Sequence, residues 1–252
     1  MSEVVQKELP ENWTTATIGE VATISTGKRD SNHATVDGEY KFFTCAFAPL
    51  LAPTFAFDDE AILLPGNGHN VGEVFYYKGK FEAYQRTYVL HDIKIEPKYL
   101  FYSLKYGWRK STAEKQYGTA TNYIRMGNFT EYSLPIAPPE QQKRIVAKIE
   151  QLFSHIDTGI EALNKAKQLL KQYRQSVLKA AVTGELTKEW REENNHSFDS
   201  WQESTIGEIA EVQTGKTPKR TTEEFWKNGT IPWLTSSATN EAFTHHADQF
   251  VT

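Results

Sequence analysis

Cysteine is almost missing from this chain: Cys45 stands alone, beside two methionines. One thiol excludes an internal disulfide and a cysteine metal cluster, and such usage fits a reducing, cytoplasmic setting. Long apolar runs are missing too. Nothing approaches the ~20 residues that span a bilayer, and Met1 to Glu11 is polar and acidic, without the apolar centre of a signal peptide. No membrane is therefore expected among the partners. Net positive charge is also lacking, since the formal balance is -4. Bulk electrostatics gives no pull toward nucleic acid, and any such surface has to be local.

Catalytic constellations are absent as well. His33, His69, His91, His155, His196, His245 and His246 show neither HExxH nor His/Cys ligand spacing, and no Walker lysine motif occurs. Gly66, Gly68 and Gly72 are not spaced as a dinucleotide fingerprint and precede a strand signal, so they read as turn glycines. Asp58, Asp59 and Glu60 could hold magnesium, but a carboxylate run before a strand is more often a solvated turn. The chain is expected to be no enzyme, to bind no metal and to carry no cofactor of its own.

What is present is a chain of 252 residues, 39% hydrophobic and 13% aromatic, ample for one large or two ordinary domains with packed cores. One stretch dominates it. From Pro138 to Gly184, Ile149, Ile156, Leu163, Leu170 and Val177 recur every seven residues, with Ile145, Leu152, Ala166, Tyr173 and Ala180 between them, the spacing of a coiled-coil seam. Pro138 and Pro139 suit only a helix start, Glu140 sits where the dipole favours an anion, and Thr183-Gly184 offers a stop. Such a helix would be about 65 Å long. Gly159 on the seam predicts a weak contact or bend, and Val146, Phe153 and Ile160 predict burial of the first half against a second surface.

An internal repeat sets the organisation. Trp13 to Lys28 (WTTATIGEVATISTGK) recurs as Trp201 to Lys216 (WQESTIGEIAEVQTGK), with nine identities in sixteen at an offset of 188. After a three-residue insertion, Gly38 to Thr44 matches Gly229 to Thr235. A repeat of this length means a duplicated module. The expected domains are residues 11–138, a long helix at 139–184, a linker at 185–200 and the start of a second module at 201–252. About 52 residues of that second copy are present, so either a longer natural chain or a truncated product is expected, with marginal order in the copy because its core is unfinished.

Within the first module, strand signals cover Thr17 to Ser25, Tyr40 to Cys45, Ala61 to Leu64, Val71 to Tyr77 and Tyr84 to Leu90. Leu100, Leu104 and Trp108 lie four apart in Pro97 to Ser111, one face of a helix. The fold class is α+β: a curled, mixed, β-rich domain, then a long coiled-coil-forming helix, then the start of a second copy of the domain.

The order of a strand-rich domain, PIAPPEQQKRIVAKIEQLF, a helix ending AAVTGELTKEWR and a second TIGE-type start resembles the specificity subunit of type I restriction-modification enzymes. The resemblance covers about Glu11 to Thr252. It implies a target recognition domain that binds double-stranded DNA, a conserved helix, and a repeat of both. It further implies docking of modification (methyltransferase) subunits holding S-adenosylmethionine, and of a translocating restriction subunit using ATP and magnesium, while the specificity subunit does no bond chemistry. The second helix of the family pattern is missing here. Two chains pairing their helices antiparallel as a homodimer would restore the arrangement, and a symmetric, interrupted palindrome would be the target.

Candidate DNA contacts come from the residues themselves. Lys98, Lys105, Arg109, Lys110, Lys115 and Arg125 face a single acid, Glu114, and alternate with Tyr102, Tyr106, Trp108, Tyr117 and Tyr123. Tyr117 to Arg125, with Thr119, Thr121, Asn122 and Arg125, has the side chains suited to hydrogen-bonded readout. In the turn Pro65 to Gly72, Asn67, His69 and Asn70 are candidates. Lys28 and Arg29 follow the repeated Thr-Gly, which suits a fold-defining turn and phosphate positioning about equally. Lys165, Lys167, Lys171, Arg174 and Lys179 read as a solvated helix face. The alternative function is a coiled-coil adaptor that assembles other proteins without reading DNA.

Overall fold

The computed structural model describes residues 9–113, 115, 117, 122–197, 199, 201–235, 247 and 249–252. Two compact units divide the chain, Met1–Gln172 and Tyr173–Thr252. The first is built on a six-stranded sheet in the order β2-β7-β5-β6-β3-β4. These strands are β2 (Thr23–Thr26), β3 (Tyr40–Phe43), β4 (Leu50–Ala52), β5 (Phe57–Pro65), β6 (Phe75–Ala83) and β7 (Thr87–His91). Only β3 and β6 pair in parallel. A separate antiparallel pair joins β1 (Thr14–Thr17) to β8 (Ser133–Ile136).

The Ala61-Ile-Leu-Leu run explains why β5 is central. Ala61, Ile62, Leu63 and Leu64 are all fully buried, with Ile62 and Leu64 in one core cluster and Ala61 and Leu63 in another. A period of two thus fills both faces of the sheet. One face is covered by α2 (Pro97–Ala113), whose Leu100, Leu104 and Trp108 are fully buried as their spacing predicts. The other gathers Phe43, Phe81 and Val89. The sheet is curled as well as mixed: Arg29 beyond β2 bridges to Tyr84 beyond β6. A Cβ on Gly27 would lie 1.8 Å from the Ala83 carbonyl oxygen, so only glycine lets the two backbones meet there.

Several strand boundaries differ from expectation. Thr17 to Ser25 is not one strand, because α1 (Ile18–Val21) interrupts it. The Thr17 N–H donates to the Glu20 carboxylate at 2.6 Å, so a Thr-x-x-Glu capping arrangement wins over β propensity. Residues 71–74 are loop, with β6 beginning at Phe75, and β7 begins at Thr87, not Tyr84. The Asp58-Asp59-Glu60 run is inside β5 instead of a turn before it. Glu60 is held there by the Tyr76 hydroxyl and, at 3.0 Å, by Lys78 on the neighbouring strand. Strands β1, β4 and β8 are too short to carry a period.

After α3 (Met126–Thr130), the long helix α4 runs from Pro139 to Val182, unbroken through Gly159, and Gly184 follows in the left-handed region at φ 71°. Its first turns are docked. Val146 packs with Tyr99 and Ala137, and Gln142 is buried, accepting from the Glu96 N–H at 2.9 Å and donating to the Ala137 carbonyl at 2.7 Å. Phe153 meets Tyr102 edge-on at 5.9 Å but is 51% exposed, as is Ile160 at 52%, so of the residues expected to be buried against a second surface only Val146 is. Of the seam, Ile145, Ile149 and Val177 are half-buried, whereas Leu152, Ile156, Leu163, Leu170 and Tyr173 are exposed. Among the described residues no helix is long and apolar enough to cross a membrane.

The second unit repeats local structure without repeating burial. Its stretch 185–200, expected as a linker, carries a 3-10 turn and α5 (Lys188–Glu193). The α6 helix (Ile206–Ile209) copies α1, with the Thr205 N–H donating to Glu208 at 2.8 Å. Strands β9 (Ile231–Trp233) and β10 (Gln249–Val251) pair antiparallel as β3 and β4 do. Yet Ile206 and Ile209 are 70% and 74% exposed, where Ile18 and Val21 are 0% and 6%. The cap is encoded locally, whereas burial of the residues it holds is not.

Candidate nucleic-acid interface

The turns that follow β2, β3, β5 and β6 meet one another, and the segment between α2 and α3 joins them. The 84–86 turn is their hub. Tyr84 donates from its N–H to the Phe43 carbonyl at 3.0 Å, Gln85 to the Arg29 carbonyl at 2.9 Å, and the Arg86 carbonyl accepts from the Gly66 N–H at 2.8 Å. A Cβ on Gly66 would fall 2.3 Å from that Arg86 oxygen and 2.8 Å from the Tyr88 ring, so the crossing depends on glycine. From the other side, Ile124 donates to the Gly66 carbonyl at 3.0 Å and Gly68 to the Asn122 carbonyl at 2.8 Å, which places Asn67 opposite Tyr123. Asn70 donates to the Cys45 carbonyl at 2.8 Å.

This loop face brings together candidates that are far apart in sequence, Arg29, Asn67, Asn70, Tyr117, Asn122 and Arg125, whereas Lys28 lines a separate cavity with Asp58, Asp59 and His91. His69 is exposed between Asn67 and Asn70. Tyr117 and Tyr123 exchange backbone bonds of 3.0 Å each and stack their rings at 5.7 Å. Arg125 lies 4.3 Å from the centre of the Tyr117 ring and donates to the Tyr123 hydroxyl at 2.9 Å, and that bond holds its guanidinium above its ordinary pKa. The result is a cation laid on an aromatic platform. Thr119 and Thr121 lie outside the described residues.

Charge on the face is uneven. Arg29 is partly spent on Glu82, a buried carboxylate 3.6 Å away, which makes it a brace for the turn as well as a surface cation. Arg86, and Lys28 in its separate cavity, are exposed and have no ion pair among the described residues.

The basic stretch on α2 is not part of this surface as one block. Arg109 and Lys105 converge on Glu73 at 2.8 and 3.5 Å, Lys98 pairs with Glu150, and Lys115 pairs with Glu131 at 3.4 Å. Arg109 also packs against Gly72 at the foot of the 65–72 turn. Lys110 is exposed, without an ion pair among the described residues. Trp108 is core. The sequence missed Tyr84, Gln85 and Arg86, which line a cavity of about 490 Å³ with Asn67 and Tyr123. The available signal was a Tyr-Gln-Arg run inside a stretch assigned wholly to a strand.

A metal could be sought at Asp59, His91 and Asp92, whose ligand atoms lie within 4.8 Å of one another. Both ring nitrogens of His91 are already engaged, Nε2 with the Ser25 hydroxyl at 2.8 Å and Nδ1 with Asp92 at 3.1 Å. The Ser25 bond occupies Nε2 and Nδ1 faces a carboxylate, an arrangement that satisfies the ring without a metal ion.

Comparison with known proteins gives a consistent answer. The family described as type I restriction modification DNA specificity domain matches residues 10–169 and 199–252. The EcoDI specificity subunit of a type I restriction enzyme of Escherichia coli is 42% identical over 189 residues, covering 75% of this chain and 42% of that protein. The StySPI specificity subunit of Salmonella potsdam is 28% identical over 228 residues, covering 80% and 49%. The chain thus spans half or less of the length of these curated relatives. Among solved structures, a chain from work on complex assembly and conformational transition of the type I R-M system is similar with a TM-score of 0.57 at 22% identity, covering 71% of this chain and 47% of that one. The HsdS subunit from Thermoanaerobacter tengcongensis is similar at 0.52 and 20%, with the same coverage. These likenesses show the fold, α+β with a mixed sheet and a long helix.

Proposed function

The chain belongs to the type I restriction modification DNA specificity domain family, and we propose that its first unit recognises double-stranded DNA for a type I restriction-modification complex. The observation that supports this is the loop face: five segments joined by backbone hydrogen bonds, presenting Asn67, Asn122 and Arg125. Cations set register on the phosphates, and amide groups on rigid turns are suited to base edges. In this role the chain performs no bond chemistry. Methyltransferase subunits bring S-adenosylmethionine, and a restriction subunit brings ATP and magnesium.

The exposed seam of α4 is assigned to a second copy of the chain, paired antiparallel. Leu152, Ile156, Leu163, Leu170 and Tyr173 are 47–72% exposed at heptad spacing, a stripe that one helix cannot bury alone. Two identical recognition units then read a symmetric, interrupted site.

Selection from random duplexes, with the full chain alone and with its modification subunits, is the test. An enriched, interrupted motif whose affinity falls steeply with salt is expected. No enrichment in either setting would favour a coiled-coil adaptor and end the DNA reading.

A further inference from the structure

The 84–86 turn is fixed from several sides before any ligand arrives. Besides the bonds from Gln85 to Arg29 and from Gly66 to Arg86, the Thr87 N–H donates to the Tyr84 carbonyl at 2.8 Å. Its two tip side chains, Gln85 and Arg86, are nevertheless exposed. Gln85 is also oriented: its Nε2 donates to Asp30 Oδ2 at 3.2 Å, and the Ser31 hydroxyl holds the other oxygen of that carboxylate at 3.1 Å. One amide N–H and the amide oxygen remain free, the donor and acceptor pair that matches adenine N7 and N6.

The adjacent Asp30 carboxylate repels phosphate, so this amide is better matched to a base edge than to the DNA backbone. Arg86 differs from the other arginines nearby. Arg29 is tied to Glu82, Arg109 to Glu73, and Arg125 lies on Tyr117. Arg86 has no ion pair among the described residues, and its guanidinium presents a fork of donors that fits guanine O6 and N7. Its neighbours in the lined cavity, Asn67, Tyr84 and Tyr123, leave about 490 Å³ of open space beside it.

We propose that Gln85 and Arg86 are specificity-determining residues that read neighbouring base pairs in the major groove, Gln85 selecting adenine and Arg86 selecting guanine. This rests on the first unit recognising DNA. Both side chains project from a turn whose backbone is already ordered, so contact costs less conformational freedom than it would from a loose loop.

The test is duplex selection with the full chain and its Gln85→Ala and Arg86→Lys variants, paired with titration of a random-sequence duplex. Lysine keeps the charge and loses the fork. Arg86→Lys is expected to bind random duplex within about twofold of the parent and to lose roughly tenfold or more of its guanine preference at one position. Gln85→Ala is expected to lose adenine preference beside it and nothing else. A parent motif recovered unchanged by both variants overturns this proposal while leaving DNA recognition by the unit intact. A uniform loss of affinity for every duplex by Arg86→Lys also overturns it, since that marks a phosphate contact. A parent chain that selects no motif removes the underlying reading as well.

Discussion

Replacing Arg29 by alanine separates a brace from a DNA contact. The Glu82 side chain is 1% exposed; its Oε1 accepts from the Ala83 N–H at 3.1 Å, and its Oε2 faces Arg29 Nε at 3.6 Å. Arg29→Ala leaves Oε2 buried without its cation. Breaking a buried pair costs about 3–5 kcal/mol, and leaving a buried acceptor unsatisfied about 1–3 kcal/mol. Because Arg29 itself is 50% exposed and the contact is long, a cost of about 2 kcal/mol is expected, below the buried-pair range and within that of the unsatisfied acceptor. For a chain of this size that is a fall in Tm of roughly 4–8 °C.

The assay is urea and thermal unfolding of the full chain, in a double-mutant cycle with Glu82→Gln. Neutralising the carboxylate should restore about 1 kcal/mol or more to Arg29→Ala. DNA titrations across salt supply the second arm. With its charge partly balanced by Glu82, Arg29 contributes less than the slope of about 0.9 that one full phosphate contact carries. A change in stability below about 0.5 kcal/mol together with a full-ion loss of slope would refute the brace and make Arg29 a phosphate contact.

Glu60 makes the sheet sensitive to acid. The Tyr76 hydroxyl bond, then Lys78, hold its carboxyl below the usual range, so its contribution is complete above the unfolded pKa of about 4.3 and is lost as pH falls through the folded value. Tyr76→Phe should therefore destabilise clearly at pH 6, with the gap from the parent closing toward pH 3; an equal gap at both pH values would contradict this. Leu163→Asp should halve the solution mass seen by light scattering, and a parent that is already monomeric at micromolar concentration would remove the paired seam. Gly66→Ala should cost about 1–3 kcal/mol and abolish motif selection, because its methyl collides with the Arg86 carbonyl. Wild-type selection by that variant would show the crossing to be slack.

Much of the fold could be seen in the sequence wherever a period or a cap is local. The apolar run of β5, the four-residue spacing of α2 and the heptads of α4 with Gly184 at their end all have the predicted form. The capping arrangement at Thr17 and Glu20 is equally local, but the β-branched residues around it give the stretch a strand signal. The candidate interface is different in kind. It depends on meetings such as Gln85 with Arg29 and Asn67 with Tyr123, set by the curl of the sheet and by glycine crossings that no period encodes. Composition also misled: the basic residues between Lys98 and Lys115 looked like one surface, but Glu73, Glu131 and Glu150 from other segments claim most of them.

Hydrogen exchange of the full chain, free and bound to its selected duplex, bears most directly on the loop face as the DNA surface. Slowed exchange is predicted in residues 27–31, 66–70, 84–86 and 122–125, with the exposed side of α2 around Lys105 and Lys110 unchanged. Protection confined to α2, with none in those turns, would contradict it.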